Sequence, residues 1–300
     1  MDPTTQRIMM TAGAADVPGG ENIYFAQSLL DQTTRNYNWT CPAGVTSVSV
    51  VCIGGGGEGG DYGPSPGTGG GGGAALRYKN NISVTPGATY SVQVGVSRNN
   101  QSASSSKFMY GGTTLCEADG GSRGQNNISG PGGPGGSSGT GDGGGNGGPG
   151  GRGNNGGGGG GGGGAGGYSG NGGSGGTLTS YQPPPNNFNY PGAAPAGGGG
   201  SGGASGWGNY GGSGGGVYPY GQGPPGGATS SSDKNGRVGS FDSNTYGPVL
   251  VGHSSVSRQF GAGGRGAVWG NGDVGGSGCV RIIWPGTTRQ FPSTNTEYQT

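Results

Sequence analysis

The chain has 300 residues, of which 87 are glycine and 20 proline, against an average glycine usage near ~7%. Apolar residues make up 27% and charged residues 9%, so there is too little material for one apolar core spread over the whole length. A net charge of +1 gives no field to draw in nucleic acid or an anionic membrane, and the unbroken glycines 156–164 exclude the Gly-X-Y period of collagen.

Residues 1–36 contain two glycine-poor stretches, Thr4 to Met10 and Tyr24 to Leu30, each expected as a short helix or an extended arm. The opening MDPTTQRIMMTAGAAD has neither the basic start nor the apolar run of a secretory signal, so synthesis in a cytoplasm is expected. Residues 37–118 then read as strands: YNWT, VTSVSVVCI, AALRYKNNISV, TYSVQVGV, KFMY and TTLCEA, separated by Gly, Pro and Asn. In TYSVQVGV the alternation puts Tyr90, Val92, Val94 and Val96 on one face, the pattern of a half-buried strand. The longest apolar stretch, Val45 to Ile53, is far short of the ~18–20 residues of a membrane span.

Residues 119–276 hold 64 of the 87 glycines and no hydrophobic period. Strand character returns only in GCVRIIW, 278–284, followed by a polar tail, 285–300. A lone strand needs a sheet, so 278–284 is expected to complete the one built by 37–118, leaving the glycine zone as an excursion pinned at both ends. Ordering that zone costs about 1–2 kcal/mol per residue, and side-chain burial is not there to offset it. The backbone is: extended helices of three residues per turn have no internal hydrogen bonds and can satisfy one another when packed side by side, which only glycine allows. The expected fold is therefore an all-β module, a small antiparallel sandwich, with a glycine-rich bundle of polyglycine or polyproline II helices and little or no α-helix. Glycine runs at 54–60, 67–73, 130–136, 139–153, 156–167, 170–176, 197–203, 211–216, 261–266 and 270–278 would be the rods, and the inserts between them loops at rod ends.

The ordered landmarks carry a resemblance. They are an aromatic-Thr-x-Pro-x-Gly-Val opening (39–45), a strand running into a glycine block, Gly-Gly-Ala-x-x-x-Tyr-Lys-Asn (72–80), a Thr-Pro-Gly turn (85–87) and a Val-Arg-Ile-Ile-Trp exit (280–284). Over about residues 37–286 the chain resembles the glycine-rich domain of bacteriophage virion proteins, notably tail-fibre and receptor-binding proteins of marine cyanophages. The resemblance implies bundled glycine helices whose connecting loops contact a host surface. Cys41 and Cys52 depart from it, standing where a valine-like residue is expected. The opening segment also resembles the beginnings of other phage structural proteins. It is read as a virion anchor, carried by Arg7, Ile8, Met9 and Met10 and docking on other virion proteins.

Catalytic signals are thin, and no enzyme activity, cofactor or metal site is expected. Gly-x-Gly-x-x-Gly matches arise by chance at this glycine content, and none opens a helix after a strand. Four cysteines without Cys-x-x-Cys spacing, and the single histidine His253, argue for reduced structural thiols rather than a zinc site. Asp233 and Asp242 would be the acids of a depolymerase, a distant alternative. Arg123, Arg152 and Arg265 sit in Arg-Gly contexts but form no basic tract, so a flexible RNA-binding chain is more distant still. The aromatics of the inserts matter more. Tyr181, Phe188, Tyr190, Trp207, Tyr210, Tyr218, Tyr220, Phe241 and Tyr246, interleaved with asparagines, make a candidate receptor-binding face. Tyr168 is read with them, and the alternative is that about half of these rings act as apolar lids on the bundle. Function is expected to be that of a tail-fibre or tail-associated adhesin binding a host cell-surface glycan or outer-membrane protein. A decoration or fibre protein without receptor binding is the rival, and oligomeric state is left open.

Overall fold

The computed structural model describes residues 19–26, 33–61, 67–98, 100–127, 129–154, 158–177, 188–189, 199, 205–207, 212–228, 260–267 and 272–293. The described chain is all β, and every strand pairing is antiparallel.

Two sheets form the module. The first contains β1 (Gly20–Phe25), β3 (Ser47–Ile53), β4 (Leu76–Ser83) and β12 (Cys279–Trp284), in the order β1-β12-β3-β4. The second contains β2 (Arg35–Thr40), β5 (Thr89–Val94), β6 (Ser106–Tyr110), β7 (Thr113–Ala118) and the two-residue β8 (Gly139–Thr140), in the order β2-β5-β6-β7-β8. Val48, Val50, Cys52, Val280 and Ile282 of the first sheet meet Trp39, Tyr90, Val92, Phe108 and Cys116 of the second in one buried cluster. The alternation of β5 is obeyed, with Tyr90, Val92 and Val94 buried. All seven residues of β3 are buried, because the outer face of its sheet is covered as well, by Ala165, Tyr168, Val217, Phe260 and Phe291. That double burial explains an apolar run without clean alternation. The C-terminal strand takes its expected place, with Val280 opposite Cys52 and Ile282 opposite Val50.

The module begins earlier than residue 37. β1 lies within the stretch read as an anchoring arm and pairs with β12 along its whole length, Gly20 opposite Trp284 and Phe25 opposite Cys279. Of the short helix or extended arm expected from Tyr24, Tyr24 and Phe25 take the extended form, as the end of this paired strand. The edge of β12 left open by β3 offers a row of unpaired backbone groups, and pairing them outweighs any local helix preference.

Among the described residues, the glycine segments around 67–76 pack with a three-residue period. In segment 67–76, Thr68, Gly71 and Ala74 donate to Ala267, Gly264 and Gly261; Gly69, Gly72 and Ala75 to Gln125, Ser122 and Asp119; and Gly70, Gly73 and Leu76 to Gly151, Gly148 and Gly145. The same segment accepts from Gly54, Gly57 and Gly60, from Gly160, Gly163 and Gly166, and from Gly133 and Gly136. Six segments therefore surround it, three taking its N–H groups and three supplying theirs. A three-residue period is what extended chains of three residues per turn require. A Cβ at any of Gly69, Gly70, Gly71, Gly72 or Gly73 would overlap a carbonyl oxygen of a neighbouring segment, so here glycine is a condition of packing.

The two poles of the module differ. Ile53, Val94 and Ala118 end their strands, and Leu76 and Cys279 begin theirs, at the pole where the glycine segments start. At the other pole lie the Thr85-Pro86-Gly87 turn, closed by Ala88 N–H to Thr85 O at 3.0 Å, and the β6–β7 turn at Gly111 and Gly112, whose φ values of 55° and 82° suit glycine. The chain enters the first sheet at Gly20 and leaves it at Trp284, also at this second pole.

Candidate functional site

Two places hold the described members of the aromatic set. The first is the tip of the glycine bundle farthest from the sheets. Gly54 pairs with Ala75 next to the module, Gly57 with Gly72 further out, and Gly60 with Gly69 further still. Gly160 binds Thr68 beyond that, and Gly158 accepts from Asn154. β9 (Gly158–Gly159), β10 (Phe188–Asn189) and β11 (Ser205–Trp207) make a small sheet there, in the order β10-β11-β9. Trp207 stands opposite Gly158, and Phe188 opposite Gly206. The backbone of Phe188 and Trp207 thus sits at the tip, on the side of the molecule opposite Gly20 and Trp284.

The second place is the outer face of the first sheet, where segment 217–222 crosses it as a strap. Arg281 lies mid-strand in β12 and is fully buried. Its Nη2 binds Glu21 Oε2 at 2.5 Å, its Nη1 donates to the Pro219 carbonyl at 2.9 Å, and its guanidinium lies 4.9 Å from the Tyr220 ring centroid. Arg289 adds a bond from Nη1 to the Gly20 carbonyl at 2.6 Å and reaches the same Glu21 oxygen at 3.4 Å. Tyr220 stacks loosely on Tyr218, with centroids 6.4 Å apart. Beneath the strap, the Tyr168 hydroxyl accepts from Gly221 N–H at 3.1 Å and donates to the Tyr218 carbonyl at 3.3 Å. The Tyr168 ring stacks on Phe291 at 5.7 Å. Burial pushes the Tyr220 phenol up to about 12 and raises that of Tyr168 further, so both stay protonated at neutral pH. The arrangement is a clamp: two arginines, one carboxylate and a tyrosine ring tie N-terminal strand, C-terminal strand and strap together.

Residues 32–285 match the model of a family described as the glycine-rich domain. The chain belongs to that family. No curated protein matches it.

In this glycine-rich domain the sequence-based site splits. Phe188 and Trp207 share the tip, while Tyr218 and Tyr220 lie beside the module, both partly buried. Tyr181, Tyr190, Tyr210, Phe241 and Tyr246 lie outside the described residues, as do Arg7, Ile8, Met9, Met10, His253, Asp233 and Asp242. Tyr168 is 1% exposed and is a lid on the outer face. Sequence reasoning missed the clamp, since neither Glu21, Arg281 nor Arg289 was singled out; the available signal was a lone arginine inside an otherwise apolar strand. Arg123 and Arg265, the two Arg-Gly arginines besides Arg152, are tied to carboxylates, Arg123 to Glu58 and Asp61 at 2.9 and 2.6 Å and Arg265 to Asp273 at 2.6 Å. All four cysteines are reduced and buried. Among the described residues no cluster of three or more His, Cys, Asp or Glu could hold a metal ion, and no helix is long and apolar enough to cross a membrane.

Proposed function

We propose that this glycine-rich domain is a bacteriophage virion protein, a tail-fibre or tail-associated adhesin that presents loop residues to a host surface glycan or outer-membrane protein. The observation that carries the reading is polarity. The segment read as the virion anchor enters the molecule at Gly20, at one pole, and the small sheet bearing Phe188 and Trp207 closes the opposite tip. A rigid spacer with attachment at one end and aromatic, asparagine-rich loops at the other is the layout an adhesin needs. The spacer is built without a large apolar core, which suits a slender appendage. Tip residues Phe188 and Trp207, with Tyr181, Tyr190 and Tyr210 from the same insert region, are the preferred receptor contacts.

Purified protein should bind host cells and block phage adsorption. Absence of binding at micromolar concentration, with the protein nonetheless present in purified particles, would replace the adhesin by a decoration or fibre protein of head, collar or tail. Absence from particles would remove the virion reading altogether.

A further inference from the structure

A rod of exposed glycine backbone is a template for another rod, as an unpaired strand edge is for another strand. Segment 145–153 lies at the surface of the bundle, with Pro149 and Arg152 exposed, yet it has no N–H left to offer. Gly145, Gly148 and Gly151 donate inward to Gly167, Gly164 and Gly161, and Gly147, Gly150 and Gly153 donate sideways to Gly136, Gly133 and Gly130. The third direction belongs to Asn146, Pro149 and Arg152, and each is closed by a side-chain device. Asn146 N–H donates to Asn171 Oδ1 at 3.0 Å, and Arg152 N–H donates to Thr177 Oγ1 at 3.0 Å. Pro149, between them, carries no N–H. Pro131 and Pro134 occupy exposed positions of the adjacent segment with the same spacing and the same missing donor.

We infer that this face is an edge stop: Pro149, Asn171 and Thr177 end the glycine lattice within one chain and prevent a second copy from extending it. The pattern is visible in sequence once the period is known, as Asn-Gly-Gly-Pro-Gly-Gly-Arg at 146–152 facing Asn-Gly-Gly-Ser-Gly-Gly-Thr at 171–177. The side chain at every third residue decides whether the outward donor is capped, deleted or free.

The test compares the full chain with Pro149→Gly combined with Ser174→Ala, which restores a donor and removes the hydroxyl that faces it in the register of Gly175 N–H on the Pro149 carbonyl, and with Asn171→Ala combined with Thr177→Ala, which uncovers two. Sedimentation velocity over a wide concentration range should show both variants associating beyond the state of the parent protein. Amide exchange at Asn146 and Arg152 should accelerate roughly tenfold in the double alanine variant, the effect of one lost hydrogen bond. If the proline variant loses bundle protection, the alanine pair decides alone, since it alters no rod backbone conformation. Variants that keep slow exchange inside the bundle and sediment as the parent does at every concentration would overturn the edge stop.

Discussion

Arg281 and Glu21 stand 260 residues apart in the chain and form a buried ion pair, Nη2 to Oε2 at 2.5 Å, across the seam between the first and last strands of the module. The guanidinium is fully buried and the Glu21 side chain 7% exposed, so each charge depends on the other. Removing one partner of such a pair leaves an uncompensated buried charge and costs about 3–5 kcal/mol. Glu21→Ala is expected to lower stability by that order in denaturant unfolding, and adding Arg281→Met should recover part of the loss, since Arg289 stays buried beside the vacated carboxylate. A Glu21→Ala protein unfolding at the parent midpoint would show that the seam does not rely on the pair.

Tyr220 completes the clamp through its ring. A desolvated cation–π contact is worth ~2 kcal/mol, so Tyr220→Ala should destabilise by about that amount and Tyr220→Phe by far less. Adsorption measured on the folded Phe variant tests the hydroxyl: unchanged binding shows that the phenol OH makes no receptor contact. A Tyr220→Ala protein as stable as the parent but defective in adsorption would return the ring to the receptor face.

The lattice makes a sharper demand. Gly71 binds Gly264 and receives Gly163, and a Cβ there would overlap the Gly57 carbonyl. Backbone cannot swing aside as a side chain can, so Gly71→Ala should reach the upper end of overpacking costs, ~3 kcal/mol, whereas Ser174→Ala on the exposed side should be neutral. Thermal unfolding of the two proteins decides this, and equal midpoints would mean the segments do not pack as tightly as their hydrogen bonds require.

What could be read in the sequence follows from where the information is local. β3 and β5 announced themselves through β-branched runs, and the Thr85-Pro86-Gly87 turn through its residues. Glycine runs marked the segments, because no other residue allows their approach. Which segment neighbours which was not legible, since each offers the same N–H and C=O groups and only the three-dimensional count of six neighbours around 67–76 sorts them. β1 was missed because its partner is the last strand of the chain, and nothing in Gly-Glu-Asn-Ile-Tyr-Phe points so far ahead. Tyr220 looked like a free loop aromatic for the same reason: the charge beneath it comes from β12.

Buried thiols give a chemical test of the core. Cys52 and Cys279 lie in strands packed on both faces, and burial pushes both thiols well above the ordinary range. Thiolate is the reacting form, so a disulfide reagent at pH 8 should find the native protein inert and detect all four cysteines once it unfolds. Rapid labelling of native protein at Cys52 or Cys279 would contradict the packing.

Glu58 links the glycine lattice to pH. Its carboxylate is buried between segments, accepting from Arg123 Nε at 2.9 Å and Asn100 N–H at 2.7 Å, with Asp61 on the other side of Arg123. Burial raises its pKa; the Asn100 and Arg123 contacts pull the other way and Asp61 adds to the rise, leaving a net upward shift from 4.5. The folded state therefore holds the proton more tightly than the unfolded chain. The stabilisation this gives is fully present below the unfolded value and is lost as pH rises through the folded one. Glu58→Gln keeps an acceptor and removes the titration. Subtracting its denaturant midpoints from those of the parent isolates the group from every other carboxylate, and the difference should move against the parent as pH rises from about 4 to about 7. A flat difference, or one moving in favour of the parent, would mean that the Arg123 and Asn100 contacts outweigh burial and that the ion pair is a net support of the lattice at neutral pH.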